Sequence, residues 1–196
     1  MDAIECMMSR QSVSAAALAD PVPTDDELQA VFATAMRAPD HGALQPWRFR
    51  LIRGAARERL GDLYAAAARR ANPELPDAEI EKARAKPLRS PLIIAAWASV
   101  TEGHPKVPPV EQVVAAGAAV QNVLNALHAK GYGAILVTGK PSYDAEVMSA
   151  LGMAPADTMI GFIYVGTPSK AMPQKKRADA SAFVEEWTGP LSVAAE

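Results

Sequence analysis

Cysteine is almost missing from this chain of 196 residues: Cys6 stands alone, so no internal disulfide can form and a reducing cytoplasm is the expected compartment. That thiol lies on the apolar side of the first helical pattern and reads as an inert core group. With only three histidines beside it, no metal-ligand spacing arises, and no metal site is expected. Net charge is −2, which supplies no global field for nucleic acid or an anionic membrane. Aromatic residues make up only 6 %, and no stripe of them alternates with basic residues. The longest apolar block, Leu92–Ala98, falls far short of the roughly 20 residues needed to cross a bilayer. Met1–Arg10 carries Asp2 and Glu5 and no long apolar core, so a signal peptide is not expected. No nucleophile–base motif stands out, and Gly131-Tyr132-Gly133 closes a helix instead of opening a dinucleotide turn.

The residues that are present describe one domain with a sizeable core. Asp2 caps a first helix that is expected to turn Ile4, Met7 and Met8 inward. Thr24-Asp25-Asp26-Glu27 reads as a capping box ahead of Leu28, Val31, Phe32 and Ala35. Trp47–Ile52 alternates like a half-buried strand, with Trp47 in the core. Gly54–Ala71 is helical, and Asp77 is expected to cap a short helix after the Asn72-Pro73 and Pro76 breaks. Lys82, Arg84, Lys86 and Arg89 read as one solvated face. Leu92–Ala98 is a buried strand. The Pro-rich loop Thr101–Pro109 is a candidate lid or pocket wall, its His104 most simply an exposed loop residue. Val110–Lys130 is the longest helix, with small residues at Ala115–Ala119 that permit close approach of another helix. Strands follow at Ala134–Gly139 and Met159–Gly166, separated by a helix that starts at Ser142 to Asp144 and runs through Leu151. After Pro168 the chain turns polar and basic, with Phe183 and Trp187 as its only large anchors.

Two stretches point to chemistry. Arg10-Gln11-Ser12 places a guanidinium fork beside a hydroxyl, a plausible grip on a phosphate. Arg37-Ala38-Pro39-Asp40-His41-Gly42-Ala43-Leu44-Gln45-Pro46-Trp47 sets polar groups in irregular backbone between two prolines, where a ligand can be held.

The run RAPDHGALQPWRF resembles the APS..N.QPW.F segment of the flavin-dependent nitroreductase family, closest to its minimal branch. PLRSPLII and the ending GFIYVGTP match the same branch in order and spacing. The resemblance implies an α+β, nitroreductase-like three-layer domain: a mixed, mainly antiparallel sheet flanked by helices, in a homodimer. Residues 1–168 would form the FMN-binding domain and 169–196 a tail on the partner subunit. It further implies FMN as cofactor, with NADH or NADPH as reductant. Arg10, Gln11, Ser12, Arg37, His41, Leu136, Val137 and Thr138 would hold the flavin, in a pocket between subunits that takes residues from both chains. Ala126, Leu127, His128, Ala129, Lys130 and Gly131 would neighbour the nicotinamide. The activity implied is ping-pong hydride transfer to a nitroaromatic, a quinone or a similar small acceptor, with no catalytic side chain. The chain departs from the pattern at three cations. Gln11 and Ala15 stand where an Arg-Arg-Ser-x-Arg segment has arginines, and Val137 replaces the arginine of Trp-Arg-Ser. These losses leave two alternatives: a relative that reduces a different acceptor, or a flavin fold that has lost tight FMN binding and serves as a binding or structural dimer.

Overall fold

The computed structural model describes residues 2–173 and 175–189. Its centre is β5 (Thr158–Pro168), which pairs on one side with β3 (Leu92–Ala98) and also with β4 (Gly133–Val137). β2 (Trp47–Arg53) lies outside β3, and β1 (Leu18–Ala19) pairs with the last two residues of β5. Every pairing among the described residues is antiparallel, so the mainly antiparallel sheet that was expected has no parallel component within them.

All seven residues of β3 are buried, as a strand covered on both faces requires. Because successive side chains point to opposite faces, this one strand feeds two cores. Ile94 and Ala96 join Leu28 and Val31 of α2 (Asp25–Ala35) and the inner face of α5 (Pro109–Ala129). Ile93, Ala95 and Trp97 join Leu60 and Tyr64 of α3 (Ala55–Ala71) and Val147 of α6 (Ala145–Ala150). Helices on both faces make the three layers.

Local signals explain most boundaries. Thr24 Oγ1 accepts from Glu27 N–H and the Glu27 carboxylate accepts from Thr24 N–H, which closes the first turn of α2. Asp144 caps α6 by accepting from the N–H groups of Glu146 and Val147. α4 (Asp77–Ala85) departs from expectation: Pro76 takes the cap position, and Asp77, already in the helix, pairs with Arg69 at 2.7 Å. Gly61 is required where α3 crosses α4, since a Cβ there would run into the carbonyl of Arg84. The loop at 101–108 is pinned and does not hang free. Buried Gln112 bonds Thr101 N–H and the carbonyls of Thr101 and Val107. His104 Nδ1 accepts from Lys106 and Val107 N–H.

The first helix, α1 (Ala3–Ser9), is capped by Asp2 as expected, but it turns the other way. Cys6 is buried against α5, whereas Ile4, Met7 and Met8 are exposed, Met8 at 79 %. Its apolar residues therefore face outward, not into the core of the same chain. They are joined on the surface by Met36 and by Val110 and Val114 of α5. Beyond β5, Phe183 and Trp187 are also exposed. The tail touches its own chain where Arg177 Nη2 donates to the Arg10 carbonyl, 3.3 Å, and where Gln11 Nε2 donates to the Met172 carbonyl, 3.3 Å.

Candidate active site

β4 runs at the edge of the sheet, and Val13 N–H reaches across to the Ala134 carbonyl at 3.0 Å. That bond aligns residues 10–15 with the strand. Past Ala134 the two segments open around a cavity of about 300 Å³, lined by Ser14, Ala15, Val137, Thr138, Gly139 and Ser142. The opposite wall comes from the other elements: Tyr64 of α3, Phe162 and Tyr164 of β5, and Lys86 and Arg89. Leu136, one residue before Val137, is half-buried and packs on the α2–α5 core.

The electrostatics of this cavity are one-sided. Lys86 and Arg89 make no ion pair among the described residues, whereas Lys82 pairs with Glu79 and Arg84 with Asp62 and Glu81. The four cations read as one solvated face; Lys82, Lys86 and Arg89 are exposed and Arg84 is half-buried, and Lys86 and Arg89 also line this cavity. α4 ends at Ala85, and Pro87 sits in a tight helical turn spanning Lys86–Arg89, which redirects the last two toward Thr138. Burial pushes the Tyr164 hydroxyl up to about 12 and raises the Tyr64 hydroxyl further, so both remain protonated donors at neutral pH. The Tyr64 ring is held edge-on to Phe162, 5.7 Å between centroids.

Arg10 and Gln11 line an adjacent cavity of about 350 Å³ with Ser9, His128, Tyr132 and Lys170. Counted from Arg10, the five-residue Arg-Arg-Ser-x-Arg pattern ends on Ser14, so Ser14, not Ala15, takes the place of the last arginine. Both residues reach the Thr138 cavity. Gln11 spends its amide on the Met172 carbonyl. Ser12 lies half-buried between the two cavities. His128 Nε2 lies 2.9 Å from Ser9 Oγ, and burial first, then nearby Arg10, lower its pKa, which keeps the ring neutral.

Arg37 and His41 are elsewhere. Arg37 lines an open groove with Cys6, Met7, Asn122 and Ala126, between α1, α2 and α5. His41 Nδ1 lies 2.6 Å from Glu111 Oε2 at the start of α5. The loop that presents it is wound tightly. Gly42, Ala43 and Gln45 all have positive φ, and Asp40 Oδ2 accepts from Gln45 N–H at 2.7 Å. Two non-glycine residues in the left-handed region cost about 1–3 kcal/mol each, strain that accumulates where a side chain must be aimed. Arg48 adds bonds to the Gln45 and Trp47 carbonyls.

The expected nicotinamide neighbours do not form one surface. Ala126 and Ala129 share the groove with Arg37, His128 and Gly131 share the cavity with Arg10, and Lys130 is exposed. Leu127 has no exposed surface and belongs to the core, because a helix cannot present six consecutive residues to one ligand. Among the described residues no group of three or more His, Cys, Asp or Glu is arranged to hold a metal ion.

Comparison with known proteins matches this arrangement to one family. The model of the nitroreductase family matches residues 7–167. "Putative NAD(P)H nitroreductase YdjA" of Escherichia coli strain K12 is 40 % identical over 185 residues, 94 % of this chain and 98 % of that protein. A Haemophilus influenzae protein of the same description is 30 % identical over the same shares. Among solved structures, a nitroreductase-like family protein from Bacillus cereus superposes with a TM-score of 0.79 at 22 % identity, over 96 % of this chain and 97 % of that one. A Desulfovibrio desulfuricans structure, described as a putative nitroreductase in complex with FMN, has a TM-score of 0.68 at 24 % identity, covering 93 % and 95 %. The chain belongs to the nitroreductase family, an oxidoreductase family with the three-layer α+β fold described above.

Proposed function

We propose that this protein is an FMN-dependent NAD(P)H oxidoreductase that works as a homodimer in the cytoplasm. The observation that carries this reading is the cavity at the end of β4, where Lys86 and Arg89, unpaired among the described residues, and two protonated tyrosines line the same space as Thr138 and Gly139. An anionic group with a polar, flat edge fits such a donor set. Arg10, with Lys170 beside it, would take the phosphate; Ser14 and Thr138 offer hydroxyls. Lys86 and Arg89 supply positive charge that the sequence pattern had led us to count as lost, which favours the enzyme over a binding dimer without flavin. No side chain acts as a nucleophile.

The chemistry supplied by bound FMN is hydride acceptance from NADH or NADPH and electron delivery to a nitroaromatic, quinone or similar acceptor, in ping-pong order. The chain's own residues bind and orient. Arg37 and His41 do not reach the Thr138 cavity of their own chain, so they would complete the site of a second copy. The exposed apolar residues of α1 and α5 lie on the same side as Arg37 and His41, and Gly117 of α5 has nothing within 4 Å of its missing side chain. These apolar side chains are exposed in one chain, and a second copy would cover them. Residues 1–168 form the flavin domain in this reading, and the tail from 169 packs on the partner through Phe183 and Trp187. No helix among the described residues is long and apolar enough to cross a membrane. The placement in the cytoplasm rests on the lone, buried thiol of Cys6.

The test is anaerobic titration of FMN-loaded protein with NADH and NADPH. Bleaching of the flavin absorbance, reversed by a nitroaromatic or quinone, is the expected result. Protein that takes up no FMN, or takes it up and never bleaches, overturns the reading.

A further inference from the structure

The cavity of about 350 Å³ around Arg10 contains a titratable group that phosphate binding by Arg10 and Lys170 leaves unused. His128, half-buried in the last turn of α5, lines it with both cations. No carboxylate lines it among the described residues. Gln11, where the family pattern has a second arginine, is neutral and has its amide bonded to the Met172 carbonyl.

The hydrogen bonds of His128 fix which nitrogen carries its proton. Ser9 Oγ has one hydrogen, and the Glu5 carbonyl accepts it at 2.7 Å. Toward His128 Nε2, 2.9 Å away, the same oxygen is left to accept, so Nε2 bears the N–H. Nδ1 then carries a lone pair in the neutral ring, and it makes no hydrogen bond among the described residues. A lone pair repels a phosphate oxygen, whereas a protonated Nδ1 is a charge-assisted donor. Without an anion, burial and then Arg10 hold the ring below its ordinary value, against that second proton. A phosphate dianion in the same cavity offsets the Arg10 charge and favours the imidazolium.

The surrounding groups leave that change to the ligand. Arg10 ends α1, Lys130 ends α5 and Lys170 follows β5, so all three neighbouring charges are positive. Arg177 reaches only the Arg10 carbonyl. Tyr132 lines the cavity, but its hydroxyl donates to Glu27 of α2 at 2.8 Å, and that carboxylate also accepts from Thr24 N–H. Glu5 meets Ser9 through its backbone carbonyl. The start of β4 adds only Gly133 and Ala134.

We infer that His128 is a third cation of the FMN phosphate site, one that takes its charge when the phosphate arrives. The inference rests on the flavin reading proposed above. It supplies from α5 a charge that Gln11 does not. Binding then takes up a proton, so His128 strengthens FMN binding most in mild acid and progressively less as pH rises.

FMN affinities from fluorescence quenching test this in wild type and His128→Gln. Glutamine keeps an N–H for Ser9 and cannot take a second proton. The wild-type advantage is expected to be about tenfold larger at about pH 6 than at about pH 8. The phosphate's own second proton leaves near about pH 6, and it does so alike for both proteins. Riboflavin, which lacks the phosphate, is expected to show no such difference. NMR of the imidazole signals reads the proton itself: the His128 midpoint is expected to move to higher pH with FMN and to stay in place with riboflavin. Parallel pH profiles for wild type and His128→Gln, an acid advantage that riboflavin shares, or a His128 midpoint that FMN leaves unmoved overturns the inference and leaves the flavin reading standing. Failure of wild type to take up FMN at either pH overturns both.

Discussion

The Thr138 cavity and the His41 loop lie in different parts of the molecule and solve opposite problems. The cavity is walled by rigid elements and keeps its charges free: Lys86 and Arg89 face it without a carboxylate in reach among the described residues. The loop is exposed and has its polar group partnered, His41 against Glu111, and sits beside apolar surface instead of inside it. Exposed cations that line a cavity, unpaired among the described residues, suit an anionic ligand. A strained, exposed histidine on an apolar rim suits a site that belongs to someone else. In the proposed reading each region is half of one arrangement, and the two halves meet only when a second copy is present.

Breaking the contact between the halves is expected to have the largest effect. Val114 is 66 % exposed, so Val114→Glu leaves a lone chain's fold within about 0.5 kcal/mol of wild type. In a dimer it would bury an unpaired charge. Sedimentation is expected to show a monomer, and the purified protein to be colourless; a yellow monomer would show that one half suffices. Next in size, Arg10→Ala removes a charge-assisted contact worth roughly 1.5–3 kcal/mol, so FMN affinity is expected to fall tenfold or more in a fluorescence titration. Gly61→Ala attacks the wall of the cavity side. Its Cβ has only the Arg84 backbone to push against, and urea unfolding is expected to show a loss of about 1–3 kcal/mol. Asp40→Ala loosens the loop side by one hydrogen bond to Gln45, with an expected cost of about 1 kcal/mol in the same assay.

The smallest effect is a pH dependence at the start of α2. The Thr24 backbone N–H, then the Tyr132 hydroxyl, hold Glu27 below its ordinary value of 4.5. A carboxylate with a depressed folded pKa contributes stability above its unfolded value and loses it as pH falls through the folded one. Wild type is thus expected to exceed Glu27→Gln in urea midpoint near about pH 7, and the gap to close near about pH 3. A gap that persists in acid would assign the difference to something other than the charge.

How much of this was legible beforehand depends on the range of each interaction. The Thr24–Glu27 box spans three residues, and it reads directly from the chain because both partners are local. The seven buried residues of β3 announce themselves as an unbroken apolar run. The motif around His41 was legible as irregular backbone, but its Glu111 partner lies 70 residues away and no local pattern joins them. Lys86 and Arg89 read as solvated and are exposed; that they also line the Thr138 cavity was not legible, because Thr138 lies far along the chain and no local pattern joins them. Ile4, Met7 and Met8 were turned inward on the rule that apolar residues seek a core. In this chain they are exposed, and in the proposed reading a second copy would cover them. Which chain supplies the core is not written in spacing.

The position of β5 has a consequence for how the protein comes into being. The strand that holds the sheet together, touching β1, β3 and β4, is also the last strand of the described chain to be made. Until residue 168 has left the ribosome, only the β2–β3 pair can zip up, with the edge of β3 still waiting for its neighbour. Helices α2, α3 and α5 emerge earlier, before the sheet that is to separate them exists. A nascent chain halted before Thr158 is therefore expected to hold helices without a common floor, and protease resistance to arise in one step once the final strand slides into the middle.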